Sequence, residues 1–323
     1  MKPVITGSNG FIGSMLRNKL VAEGADVRCL VRSHPGSQTR SEGYTSFGIN
    51  YADEDSLVSS GALNDATHVF HVAGVTKALT LNGFRQGNVL PTRNLINALQ
   101  RVNPGLQRFI LISSQAAAGP AASTQNPKTE AESPVPAEDY GLSKLEAEQL
   151  LTQASLPFPY TIIRPAAVYG PRDVDFLALF KQLKNGLGIY PGNRKSYVST
   201  IYVDDLVNGI LDAAQHSQAT DKTYFLTNEV AVSWEQIYKH IADIWSSRLF
   251  EINLPIGIIA AVAKLGDLYS KVTGKVTVLN SKKIDLARPK YWVCSSEQAA
   301  HDFGFKPQMA LAAGLKETFD WYK

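Results

Sequence analysis

The chain holds 323 residues, 44% of them hydrophobic and 19% charged, and 32 basic residues against 29 acidic ones leave a formal net charge of +3. That length and composition suit one large core or two smaller ones and argue against a disordered or fibrous chain. The near balance of charge, with no dense basic run, gives no electrostatic reason to expect a nucleic-acid partner. The two cysteines, Cys29 and Cys294, stand far apart and the six histidines show no paired ligand spacing, so no disulfide framework and no metal site is expected. Met1 to Thr6 runs straight into a strand pattern that leaves no room for a signal peptide. The longest apolar stretch, Leu254 to Leu265, is interrupted by Lys264 and is too short to span a bilayer. A cytoplasmic protein in a reducing compartment is the expectation.

In chain order, Val4-Ile5-Thr6 reads as a short strand ending at Gly7, and Phe11, Ile12, Met15, Leu16 and Leu20 then recur at helical spacing. Val27 to Val31 is a second strand, Tyr44 to Ile49 a third, and Thr67 to Val72 a fourth, closed by Ala73-Gly74. A helix is predicted over Phe84 to Val102, then a buried strand over Arg108 to Ile112 that ends at Ser113-Ser114. The polar, Pro-rich stretch Gly119 to Glu138 is a long loop, and such a loop inside a compact domain is usually functional. A helix over Leu142 to Ala154 and a strand from Tyr160 to Arg164-Pro165 follow. Repeated β-α units with almost wholly apolar strands predict an α/β fold: a doubly wound parallel sheet covered by helices on both faces. Beyond Pro165 the pattern turns irregular. Tyr197 to Val203 is strand-like and leads into a helix capped by Asp204, Ser233 caps another helix that starts at Trp234, and Pro255 to Tyr269 is an apolar helix. This part is expected to form a smaller lobe over the carboxyl edge of the sheet.

Gly7, Gly10 and Gly13 stand three residues apart, directly after a strand and at the start of a helix. That context suits a tight turn, close approach of backbone to a pyrophosphate, and close packing of helix on strand, with the unpaired N–H groups of the helix facing the phosphates. Asn9, Phe11 and Ile12 lie within the same loop. At the end of the second strand Val31 stands where an acidic residue would hold the adenosine ribose, and Arg32 follows. An Arg there suits the 2′-phosphate of NADP, although a single solvated Arg is common at a strand end. Arg28 points to the other side of the strand by alternation.

Tyr140 and Lys144, at i and i+4, fall on one face of a helix. A neighbouring ammonium favours phenolate, so the Tyr140 phenol is expected to lie below its ordinary pKa and to exchange a proton with a substrate oxygen. Lys144 is also placed to hold a nicotinamide ribose. The Ser113-Ser114 pair, at the strand end where open α/β sheets bind ligands, supplies the hydroxyl that orients the reacting oxygen.

In these features the chain resembles the extended short-chain dehydrogenase/reductase family, also called the NAD-dependent epimerase/dehydratase family. The matching residues, in order, are the Gly7/Gly10/Gly13 loop, His71-Val72-Ala73-Gly74, Ser113-Ser114, Tyr140 with Lys144, and Arg164-Pro165-Ala166-Ala167-Val168-Tyr169-Gly170-Pro171. Ile201 to Asp205, Phe303 to Pro307 and Trp321-Tyr322 also look like the family. The resemblance implies a Rossmann domain over residues 1–165, with 198–228 returning to it, and a substrate lobe over 166–197 and 229–323. It implies Tyr140 as general acid/base, Lys144 as its partner on the nicotinamide ribose, and Ser114 rather than Ser113 on the substrate oxygen. Ala73, Gly74, Pro165 and Val168 would border the cofactor and Asn88 would support the nicotinamide side. Two departures stand out. Ile49-Asn50 replaces the family's Gly-Asp pair, leaving Asn50, with Tyr51 beside it, to serve the adenine end. Val198 replaces the Arg that holds a sugar-nucleotide diphosphate, although Arg194, Lys195 or Arg172 could stand in. The stretch Ser114 to Pro120 looks closer to the 3β-hydroxysteroid dehydrogenase and dihydroflavonol reductase branch. The reading that follows is a NADP- or NAD-dependent oxidoreductase acting on a small, apolar or aromatic carbonyl/alcohol pair, with a sugar-nucleotide epimerase or dehydratase as the alternative. A homodimer through two helices of the main domain is expected from the resemblance.

Overall fold

The structure, a computed structural model, describes residues 1–191, 193–255, 257, 258, 261 and 289–323. The apolar helix expected over Pro255 to Tyr269 lies, apart from isolated positions, outside the described residues.

Eight strands form the main sheet: β1 (Pro3–Thr6), β2 (Val27–Arg32), β3 (Gln38–Ser41), β4 (Tyr44–Ile49), β5 (His68–His71), β6 (Arg108–Ile112), β7 (Tyr160–Pro165) and, much later in the chain, β12 (Lys222–Leu226). Their order is β12-β7-β6-β5-β1-β2-β4-β3, and every pairing is parallel except that of β3 with β4. The strand direction of travel therefore reverses between β1 and β5, which opens a crevice at the carboxyl edge where ligands of doubly wound sheets bind. The hairpin strand β3 was not expected from the sequence: Gln38-Thr39-Arg40-Ser41 is polar and exposed or half-buried, so it carries no apolar signal.

Why these strands are apolar on both sides is visible in the two cores. Ile5, Cys29, Phe70, Ile110, Ile112 and Ile163 point into one core; their chain neighbours Val4, Leu30, Val69, Phe109, Leu111 and Ile162 point into the other. The period-two alternation of a strand with both faces covered produces this split. Helices α1 (Phe11–Ala22) and α7 (Val203–Gln215) close the first face, while α2 (Glu54–Ser59), α3 (Leu81–Val102) and α5 (Asp139–Thr152) close the second.

The remaining elements are short. Helix α4 (Gln115–Ala118) follows β6, and β8 (Ala167–Tyr169) follows β7 and pairs with β11 (Thr200–Tyr202). Helix α6 (Val174–Leu183), β9 (Leu187–Pro191), α8 (Trp234–Ile244), β14 (Phe250–Leu254) and α10 (Leu311–Trp321) surround a third core of Tyr169, Phe176, Phe180, Tyr190, Ile237 and Phe319. Strands β10 (Tyr197–Val198), β13 (Val232–Ser233) and β15 (Tyr291–Trp292) make a small sheet, and α9 (Glu297–Phe303) packs back on β12. The expected strand Tyr197 to Val203 is thus two strands, split at Ser199, whose hydroxyl accepts from the Cys294 amide at 3.1 Å. Asp204 does not cap the following helix. Tyr202 occupies the cap position and Asp204 lies in the first turn. Ser233 does cap α8, with Gln236 completing a capping box as the sequence suggested.

The glycine loop fixes how closely α1 meets the sheet. Gly7 has φ +70°, and a Cβ there would lie 2.7 Å from the Ala73 amide nitrogen at the end of β5. A Cβ on Gly13 would lie 2.2 Å from the Gly7 carbonyl oxygen. Neither neighbour is a side chain that can turn away, so the approach requires glycine at both positions. Gly13→Ala should therefore destabilise the protein by about 1–3 kcal/mol as α1 is pushed off β1. Denaturant unfolding of the variant and parent checks this, with an unchanged midpoint contradicting it.

Candidate active site

The carboxyl ends of β1, β5 and β6 assemble the candidate site. No side chain caps α1, so the N–H groups of its first turn, from Phe11 to Gly13, face the crevice without a side-chain acceptor. Gly10 and Asn9 are exposed on the same loop, and Ser8 lies beneath it. These unpaired N–H groups and the exposed Gly10 backbone are the donors that a dinucleotide pyrophosphate would use.

Arg32 ends β2 and is exposed. Arg28 faces elsewhere: it is paired with Asp65 and donates to the Ala62 carbonyl at 3.0 Å. The turn after Arg32 is organised by Ser33 and Ser37, whose hydroxyls are 3.2 Å apart, and by the Gly36 amide on the Gly48 carbonyl at 3.1 Å. Asn50 is exposed and its side chain accepts from the Ala52 amide at 3.1 Å. Tyr51, by contrast, is buried, and its hydroxyl donates to the Leu30 carbonyl at 2.8 Å. Its phenol ties the turn to β2, and its carbonyl accepts from Asn94 Nδ2 of α3 at 2.9 Å.

A buried chain of hydrogen bonds links the glycine strand to the loop after β5. The Ala73 amide donates to the Thr6 hydroxyl at 3.0 Å, and the Thr92 hydroxyl donates to the Asn88 carbonyl at 2.6 Å. Thr92 has spent its proton, so His71 Nε2–H donates to it at 2.9 Å. Burial pushes His71 down to about 3, so the ring is neutral and its Nδ1 accepts from the Thr6 hydroxyl at 2.7 Å. Asn88 then clamps the loop. Its carbonyl oxygen accepts from the Val75 amide at 2.7 Å, and its amide nitrogen donates to the Val75 carbonyl at 3.1 Å and to the Ser143 hydroxyl at 2.9 Å.

Tyr140 stands in the first turn of α5. Glu138 caps that helix, accepting from the Tyr140 and Gly141 amides at 2.6 Å each. Gly141 permits the next contact, since a Cβ there would lie 2.3 Å from the Ala116 carbonyl of α4. The two helices approach closely enough for Ser114, the N-cap of α4, to act on the Tyr140 phenol, while its Oγ accepts from the Ala116 amide at 3.1 Å. Phe84 covers the same ring at 5.9 Å between centroids. Lys144 is one turn further along, 5% exposed, and donates to the Ile112 carbonyl at 2.6 Å. A Cβ on Gly74 would come 2.9 Å from Asn88 Oδ1 and 3.8 Å from the Lys144 ammonium, so the Gly74 backbone borders both. Pro165 ends β7, buried, and Val168 is half-buried on β8.

One electrostatic expectation is reversed. Burial pushes the Tyr140 phenol up to about 12, with the Ser114 hydrogen bond opposing, and Lys144 does not depress it. Lys144 is itself lowered to about 8 by burial, with the Glu148 carboxylate opposing. The ammonium is directed at the Ile112 carbonyl, so its field is partly spent on the backbone. The sequence reading preferred Ser114 to Ser113 on the substrate oxygen and foresaw no separate role for Ser113. That residue is buried and donates to Glu148, while Ser114 alone meets Tyr140.

The residues considered as substitutes for a diphosphate-binding Arg are differently placed. Val198 is buried in β10. Arg194 is engaged with Glu251 at 3.0 Å, and Lys195 and Arg172 are exposed. Among the described residues no helix is long and apolar enough to cross a membrane.

Comparison with known proteins gives the family. The chain is 26% identical to UDP-glucose 4-epimerase of Vibrio cholerae, covering 98% of this chain and 93% of that protein. It is 27% identical to ceramide reductase of Caulobacter vibrioides, covering 99% and 93%. Among solved structures, UDP-glucose 4-epimerase of Thermotoga maritima with UDP-glucose superimposes with a TM-score of 0.79 at 21% identity, over 100% of this chain and 98% of that one, a likeness of fold. The family model of the NAD dependent epimerase/dehydratase family matches residues 4–226, from the first strand of the sheet to its last. The chain belongs to the NAD-dependent epimerase/dehydratase family.

Proposed function

We propose that this chain is a NADP-linked oxidoreductase that interconverts a carbonyl and an alcohol on a small apolar or aromatic molecule. The observation that carries the reading is the convergence of Ser114, Tyr140 and Lys144 at the end of β6, bordered by the Gly74 backbone and one strand from the glycine loop. The pyrophosphate would lie on Gly7, Asn9, Gly10, Phe11, Ile12 and Gly13, the adenosine end by Arg32, Asn50 and Tyr51, and the nicotinamide between Ala73, Gly74, Pro165 and Val168. When bound, the reduced nicotinamide supplies a hydride to the carbonyl carbon. Ser114 holds the carbonyl oxygen, and Tyr140 passes its phenolic proton to that oxygen as negative charge builds there. Lys144 would hold the ribose hydroxyls. A phenol held near 12 keeps its proton until a more basic oxygen arrives, which suits donation to a nascent alkoxide.

Exposed apolar side chains on the segments that follow β5 and flank α5 and α6 favour this substrate class over a sugar nucleotide. Leu79, on the loop after β5, Val135, before α5, and Val174, at the start of α6, are 45%, 67% and 66% exposed. Lys77, two residues from Leu79, reaches Asp175 at 3.3 Å, so its charge is occupied as well. Arg194 is likewise held by Glu251. The outward faces of α3 and α5, where Arg85 donates to Glu146 at 2.8 Å, are where a second copy would dock if the protein is a homodimer.

Tyr140→Phe should lower kcat by about 10²–10⁴-fold while NADPH binding stays within a few-fold. Steady-state turnover of a ketone panel together with NADPH fluorescence titration measures both, and a variant that keeps most of its turnover contradicts the mechanism. Arg32→Ala should weaken NADPH by about tenfold or more and leave NADH unchanged, because only the former carries the 2′-phosphate. Equal affinities of the parent protein for the two cofactors would remove Arg32 from the reading.

A further inference from the structure

Lys144 is a buried ammonium whose hydrogen bond goes to a backbone carbonyl. A carbonyl dipole replaces only part of the hydration that a buried charge loses. The Glu148 carboxylate lies one turn further along α5, on the same helix face, and is 2% exposed. Two other strands hold it. Arg164 of β7 grips it with both nitrogens, Nε to Oε1 at 3.0 Å and Nη2 to Oε2 at 2.6 Å, and Ser113 at the end of β6 donates to Oε1. A bidentate fork of this kind fixes the plane of the carboxylate as well as its position.

The other groups near the ammonium supply no negative charge. Tyr140, on the same helix, is a neutral phenol, and His71, from β5, is neutral. Glu130, from the long loop, accepts from the Phe225 amide at 2.7 Å and acts on Arg164 rather than on Lys144. Two buried cations, Lys144 and Arg164, therefore draw on the Glu148 carboxylate.

We propose that Glu148, locked by Arg164 and Ser113, is the buried counter-charge that keeps Lys144 an ammonium at working pH, and so is a positioning residue of the site. The inference rests on the reading of Lys144 as a member of the Ser114–Tyr140–Lys144 set. It explains why Ser113 and Ser114 diverge: one hydroxyl serves the carboxylate behind the lysine, the other the phenol in front of it. It also gives Arg164 a purpose beyond packing, since an ion pair alone could be replaced by apolar side chains without loss.

The test is direct titration of Lys144 by NMR in protein labelled with ¹³C at the lysine Cε, the resonance being identified by its loss in Lys144→Met. Glu148→Gln should lower the Lys144 midpoint by about one pH unit or more, the usual effect of an opposite charge at this range. Glu148→Asp should restore most of the parent value. Should Glu148→Gln unfold because Arg164 is left unpaired, the double variant Glu148→Gln/Arg164→Gln is compared with Arg164→Gln alone, and its midpoint should be the lower of the two by about one pH unit or more. A midpoint that does not fall when Glu148 is replaced, in the parent or in the Arg164→Gln background, overturns the proposal. Failure of the underlying mechanism is read separately: Tyr140→Phe would then stay active, whatever Lys144 does in the titration.

Discussion

A lysine ammonium buried at the end of a parallel sheet is the most demanding group in this molecule, and much of the structure around the crevice accommodates it. Burying a charge is strongly unfavourable unless dipoles and counter-charges replace its water. The Ile112 carbonyl supplies a dipole and Glu148 a carboxylate one turn along the same helix, and Glu148 is in turn anchored to β6 through Ser113 and to β7 through Arg164. These contacts join the helix carrying Tyr140 to the two strands that end beneath it. Relaxing that support would move the phenol and the ammonium together, because they share one helix face.

A second, uncharged network serves the opposite side of the crevice. Thr6, His71 and Thr92 connect β1, β5 and α3 through bonds whose directions leave no choice of tautomer. Because His71 stays neutral until well below physiological pH, this network does not titrate where the protein works. It holds Asn88 so that its side chain spans Val75 and Ser143, one on each wall. The crevice is thus framed by a fixed neutral wall on the glycine-loop side and a charged, buried wall behind Lys144.

Much of this was legible in the sequence because period-two apolar runs and glycine spacing are strong local signals. The parallel strands, the loop at Gly7/Gly10/Gly13 and the Tyr140–Lys144 face all follow from spacing alone. What escaped depends on contacts across the chain. The polar strand β3 exists only because β4 offers it a partner. The cap position expected at Asp204 lies two residues earlier, at Tyr202, since helix boundaries shift with the strand that feeds the helix. The Tyr140 phenol rises instead of falling, because burial outweighs a cation that is turned towards the backbone. Glu148 had a signal, a carboxylate four residues after the lysine, but Arg164 and Ser113 reach it from 16 and 35 residues away and no local pattern reveals that.

The fold is shared by enzymes that consume their nicotinamide in net reduction and by epimerases, so the fate of the hydride separates the proposed function from its rival. The most direct measurement is incubation with NADPH carrying deuterium at the transferable C4 position and a panel of apolar and aromatic ketones, with UDP-glucose alongside. The expected result is deuterium at the carbinol carbon of the alcohol, with one NADP⁺ formed per alcohol. Conversion of UDP-glucose to its epimer with no net change in cofactor, and no deuterium in any ketone product, would contradict it.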